Sequence, residues 1–198
     1  MTRTAQQTDI QQIAEVHRDA FQGFFLTGMG MRFLETYYGS FLSCPETVTL
    51  VETDEEGAVV GFAIATTKAK GFNGRLARRN FWNFARVSLN ILFHSPKSLI
   101  HLAKNMTKKS DVVADDENYA ELYSFGVRTA NRNKGIGKKL LLAMEEALKA
   151  KGVTRVSLTT DCEYNEAAIA LYRKMNYKLL YEFTAYPERK MYRLIKNI

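Results

Sequence analysis

Apolar residues follow two rhythms along the chain. Ile10, Ile13, Ala14 and Val16 recur at helical spacing, with Asp9 placed as an N-cap. Phe33, Leu34, Tyr37 and Phe41 do the same after Gly28 and Gly30, which predicts two helices separated by a glycine-marked bend. A short strand is expected at 3–5. Thr47-Val48-Thr49-Leu50-Val51 and the run at 58–65 are β-branched and flank Glu55-Glu56-Gly57, the pattern of an antiparallel hairpin. Helical rhythm returns over 75–93, and Ser95-Pro96 opens a further helix to 105. Residues 121–127 then read as a strand. Leu140, Leu141, Met144, Ala147 and Leu148 form a helix stripe closed by Lys149, Lys151 and Gly152. Val156 and Leu158 mark another strand, and Ala168, Ile169, Tyr172 and Met175 one face of a last helix. Two strands, 177–186 and 191–195, finish the chain around Pro187-Glu188. This order predicts an α/β fold: a mixed, mostly antiparallel central sheet flanked by helices on both faces, with a helical insertion at 67–117 before the strand at 121.

Composition narrows the class. With 46% hydrophobic and 12% aromatic residues, the 198-residue chain is expected to fold as a single domain over 1–198. The N-terminal heptapeptide has no apolar run behind its one charge, and Cys44 and Cys162 lack metal-type neighbours. A cytoplasmic setting with reduced thiols and no metal is expected. The net charge of +7 is regional, since residues 67–110 hold ten Lys and Arg and no Asp or Glu. The rest of the chain is slightly acidic, which argues against a nucleic-acid coat.

Chemistry concentrates in Arg132-Asn133-Lys134-Gly135-Ile136-Gly137, a turn between a strand and a strongly periodic helix. The first amides of a helix lack intrahelical acceptors and lie at the positive end of its dipole, so a pyrophosphate can bind there. Lys138 and Lys139 add charge. Neither the P-loop nor the dinucleotide pattern fits, because the lysine-hydroxyl pair and the third glycine are missing.

These residues resemble the GNAT superfamily of acyl-CoA-dependent N-acetyltransferases, whose signature is [RQ]-x-x-G-x-[GA]. Asn165, Ala168, Tyr172 and Tyr177 match a second family region, N-x-x-A-x-x-x-Y-x-x-x-x-[FY]. Close likeness runs from about 121 to 186. Thr129 stands where proline is common, and Asn133 and Asn176 where glycine is common. Asparagine tolerates left-handed backbone, so the last two departures are mild.

The resemblance implies transfer of an acetyl group from acetyl-CoA to a primary amine, with a coenzyme site at Val127, Thr129, Arg132, Asn133, Lys134, Gly135, Ile136, Gly137, Lys138 and Asn165. Val127 would meet the pantetheine through its backbone, and Asn165 could equally be a helix N-cap. Tyr172 would protonate the departing thiolate, or merely pack. Glu121 would relay the amine proton; simple alternation places it on the same face as Tyr123, Phe125 and Val127. Asp161 is the other candidate base. No histidine is well placed.

The basic insertion is the least family-like part and is expected to read the acceptor. An anionic small-molecule amine, such as an amino sugar on a nucleotide diphosphate, would suit its cations and aromatics. Solvated helix faces, an anionic membrane surface and single-stranded nucleic acid are the competing readings. Two further classes stay open: a protein (lysine or N-terminal) acetyltransferase and a non-catalytic acyl-CoA-binding module.

Overall fold

In a computed structural model, residues 1–94, 115–185 and 188–198 are described. The helix expected at 96–105 and part of the turn at 187–188 lie outside them. Seven strands form one sheet in the order β1-β2-β3-β4-β5-β7-β6. The strands are β1 (Thr2–Thr4), β2 (Thr47–Thr53), β3 (Val59–Thr66), β4 (Ala120–Val127), β5 (Arg155–Asp161), β6 (Lys178–Ala185) and β7 (Arg189–Asn197). Only β4 and β5 pair in parallel, so the sheet is mixed and mostly antiparallel, as the element order implies.

Seven α-helices lie among the described residues: α1 (Ile10–Ala20), α2 (Phe25–Gly28), α3 (Met31–Leu42), α4 (Phe72–Arg79), α5 (Phe81–His94), α6 (Ile136–Lys149) and α7 (Glu166–Lys174). The sheet separates two apolar cores. On one face, Leu140, Leu141, Met144 and Leu148 of α6, with Tyr172 of α7, cover Ala63, Leu122, Val156 and Leu158. On the other, Ile13 of α1, Tyr38 and Phe41 of α3 and Phe72 of α4 cover Val51, Phe62 and Ile64. Burial on both faces explains why β3 reads as a continuous apolar run.

Three local expectations change. Asp9 precedes α1 but does not cap it; its carboxylate accepts from the Gln6 amide at 2.7 Å and from Arg3 at 2.6 and 2.8 Å. The stretch at 75–93 is two helices rather than one, broken at Asn80, whose buried amide donates to the Leu76 carbonyl at 3.2 Å.

The third change concerns β4. Ser124 pairs with Ile64 and Leu122 with Ala65, so Tyr123 is an extra residue, a β-bulge. A bulge resets the alternation on which the same-face reading of Glu121 and Val127 rests. Phe125 and Val127 pack on the α6 and α7 side, whereas Tyr123 joins the opposite core. Glu121 opens on that opposite side, in a cleft with Phe72 and Tyr123.

Candidate active site

Two features of β4 organise the site. Its pairing with β5 covers three residues, from Ala120 opposite Val156 to Leu122 opposite Leu158. Beyond this, β4 runs on to Val127 while β5 follows β7 to the Asp161–Met191 pair. The two strands therefore fork, which leaves the β5-facing backbone edge of β4 unpaired beyond Leu122 in the middle of a sheet. Such an edge is a template for an extended ligand that carries amides.

The open end of the fork faces the turn into α6. Gly135 occupies the N-cap position with φ of 78°, a left-handed conformation that glycine adopts without penalty. Among the described residues, nothing accepts from the amides of 133–138, and Lys139 makes the first ordinary helical bond, to the Gly135 carbonyl at 3.0 Å. Free donors at the positive end of a 14-residue helix fit an anion. Lys134 and Lys138 are exposed beside them. Lys139 instead pairs with the buried Glu52.

Other members of the expected coenzyme set have structural duties. The Thr129 amide donates to Asp19 at 2.5 Å, and that bond draws the Asp19 carboxyl below its usual range. Proline at this position would forfeit the bond, which accounts for the threonine. Arg132 donates to the Ala20 carbonyl at 3.1 Å; both contacts fasten the turn to the C-terminal part of α1. Gly137 is required by packing: a Cβ there would lie 3.1 Å from Leu171 and 3.2 Å from Phe125. Asn165 begins α7 without capping it, because its amide donates to the Thr160 hydroxyl at 2.5 Å. The N-cap alternative for Asn165 is thereby corrected.

The candidate catalytic residues separate in the same way. Glu121 lines a cleft of about 230 Å³ with Phe72, Tyr119, Tyr123, Glu117 and Arg193. Burial raises the Glu121 carboxyl above its usual range, against the opposing charge of Arg193 at 3.0 Å. A carboxylate shifted upward in this way accepts a proton more readily than an ordinary one. Tyr172 is 6% exposed and packs 6.4 Å from the Phe125 ring and 5.9 Å from Tyr177. Burial pushes its hydroxyl up, which keeps it protonated. Asp161, in contrast, is held by Arg189 at 2.6 to 2.9 Å. Glu121 also pairs with a guanidinium, so what separates the two carboxylates is place: Asp161 lies outside the cleft that Glu121 lines.

Sequence reasoning missed the surroundings of Glu121. Arg193 lies between the rings of Tyr119 and Tyr181, 5.6 and 5.9 Å from their centroids, and donates to Ser157 at 3.2 Å. These residues come from β5, β6, β7 and the bend before β4, so no local spacing announces them. A second unforeseen group is buried: His17 Nδ1 lies 2.5 Å from the Tyr38 hydroxyl, which is 3.0 Å from the Ser124 hydroxyl on β4.

Among the described residues, the cations of the insertion do not line the cleft. Arg75 pairs with Glu46 at 2.7 Å, Arg78 and Arg79 are exposed, and none of the three lines the cleft. Lys97, Lys104, Lys108 and Lys109 lie outside the described residues. The three arginines and the cleft beside Glu121 are thus separate features of the described residues.

The model of the acetyltransferase (GNAT) family matches residues 10–177. The chain belongs to the GNAT acetyltransferase family. A mycothiol acetyltransferase of Renibacterium salmoninarum is 34% identical over 71 residues, 36% of this chain and 21% of that protein; the matched stretch thus spans about a fifth of the relative. The fold is also shared with solved N-acetyltransferases. The ribosomal-protein-S18-alanine N-acetyltransferase of Escherichia coli has a TM-score of 0.63 at 16% identity, over 100% of this chain and 93% of that one. The PaiA N-acetyltransferase of Thermoplasma acidophilum, solved with coenzyme A, has a TM-score of 0.60 at 16% identity, over 100% and 98%. The sheet is thus a GNAT sheet, and the two asparagines that depart from the GNAT motifs are accounted for. Asn133 and Asn176 have φ of 62° and 66°, the conformation glycine would supply.

Proposed function

We propose that the chain, as one domain, transfers an acetyl group from acetyl-CoA to a primary amine seated in the cleft beside Glu121. The observation that carries this reading is the fork of β4 and β5, with unclaimed helix amides at its open end and a buried carboxylate where the strands still pair. Amides 133–138, with Lys134 and Lys138, would hold the pyrophosphate, and the free edge of β4 up to Val127 the pantetheine arm. Acetyl-CoA supplies the acyl group as an activated thioester. Glu121 takes the proton that turns the bound ammonium into a nucleophile, and the Tyr172 hydroxyl gives a proton to the departing sulfur from the other face of the sheet.

The cleft also shapes the acceptor. Glu117 and Glu121 outnumber the single cation, Arg193, and Phe72, Tyr119 and Tyr123 add aromatic surface. This lining favours an ammonium on a compact body over an anionic group. The matched fifth of the mycothiol acetyltransferase is too short to carry over its acceptor.

The experiment is acetyl-CoA-dependent thiol release, screened over amino-sugar nucleotides, polyamines, aminoglycosides and short peptides. The expected result is saturable release on at least one amine with the N-acetylated product seen by mass. Coenzyme binding without release on any amine would favour the non-catalytic acyl-CoA-binding module.

A further inference from the structure

The acetyl-transfer reading leaves one face of α5 without a use. Asn80 fixes where this helix begins, since its side chain bonds the Leu76 carbonyl and accepts from Ser43 at 3.3 Å. Val87 packs inward on Met29 and Phe33. With that side committed, Trp82, Arg86 and Leu89 follow one another at helical spacing on the outside, beside Phe81. Trp82 is 81% exposed, and Phe81 and Leu89 are 58% exposed. Arg78, Arg79 and Arg86 are exposed with them, and no Asp or Glu occurs between 67 and 94. None of these side chains lines the cleft.

We propose that this face rests on the surface of an anionic lipid bilayer. Trp82, Phe81 and Leu89 enter the boundary between headgroups and acyl chains, while the three arginines pair with lipid phosphates. Arg86 beside an exposed tryptophan and leucine on one side of α5, with Arg78 and Arg79 exposed at the end of the preceding α4, supplies the mix of cations and apolar groups that an interfacial surface needs. No helix among the described residues is long and apolar enough to cross a membrane, so the contact is peripheral. A second copy docked through this face about a twofold axis would bring arginines against arginines. Single-stranded nucleic acid would use Trp82 and the arginines, but it gains little from Leu89 and requires a groove rather than a convex helix. The inference does not depend on the acceptor or on catalysis.

Trp82 is the sole tryptophan of the chain, so its emission reports this face directly. The probe is vesicles of phosphatidylglycerol in phosphatidylcholine, with pure phosphatidylcholine as the control. The expected result is a blue shift with the anionic vesicles and quenching by brominated acyl chains. Vesicle affinity should fall ~100-fold in R78E/R79E/R86E. The quenching arm uses the unaltered protein and stands even if that variant folds poorly. Absence of a shift with anionic vesicles would overturn the proposal. So would a shift that follows protein concentration without lipid, which marks self-association, or one produced only by a single-stranded oligonucleotide.

Discussion

Glu121 and Val127 share one strand yet serve opposite faces of the sheet, because Tyr123 is an extra residue between them. In the proposed reaction, proton acceptance and thiolate protonation would thus be approached from two sides. Glu121 opens to the cleft under α4, and Tyr172 packs against Phe125 under α7. The fork lies between them.

Replacing Glu121 with Gln keeps an acceptor for Arg193 and removes the base. Turnover should fall by ~100-fold or more, while acetyl-CoA affinity stays unchanged. Burial raises the Glu121 carboxyl, so kcat/KM should climb with pH through that raised value as the carboxylate forms, and this limb should vanish in the variant. A pH-rate profile on the best amine of the screen checks both; full activity in the variant would remove Glu121 from catalysis.

Tyr172→Phe retains the ring that packs on Phe125 and Tyr177. Because that packing is kept, thermal stability should hardly change. Turnover should drop by ~10- to 100-fold with little effect on the acetyl-CoA KM. Steady-state kinetics that match the wild type would make Tyr172 a packing residue.

Much of the fold was legible because it depends on periodicity. The stripe from Leu140 to Leu148, the hairpin at 47–66 and the glycine turn all announce themselves locally. The left-handed asparagines were readable from motif and chemistry together. What escaped is non-local: the bulge at Tyr123 depends on register with β3, and Arg193 meets Glu121 only because β5 brings β7 near β4. Regional charge is not a guide to the cleft for a related reason: Arg75, Arg78, Arg79 and Arg86 share a stretch of sequence with its lining but do not line it.

Gly137 is a packing glycine in this account. Gly137→Ala should cost about 1–3 kcal/mol, because its methyl would press on Leu171 and Phe125. Shortening the neighbour tests the cause: in a Leu171→Ala background the same change should cost clearly less. Equal costs in both backgrounds, measured by denaturant unfolding, would contradict the contact.

Burial holds His17 at a pKa of about 4, below its ordinary 6.5. The unfolded state therefore binds the extra proton first as pH falls. The contribution of a neutral His17 is complete above about 6.5 and is lost progressively down to about 4, on the order of 3 kcal/mol. Unfolding free energy should decline over that window, and His17→Gln should flatten the decline. An unchanged slope in the variant would place the titration elsewhere.

The central claim is that acetyl-CoA is held at the start of α6, and calorimetric titration of the coenzyme into K134E/K138E tests it most directly. Both lysines are exposed beside the free amides, and glutamate at 138, in the first helical turn, favours the helix, so the fold should be unaffected. The account predicts at least ~10-fold weaker acetyl-CoA binding with an unchanged or higher melting temperature. Wild-type affinity in the folded double variant would contradict it.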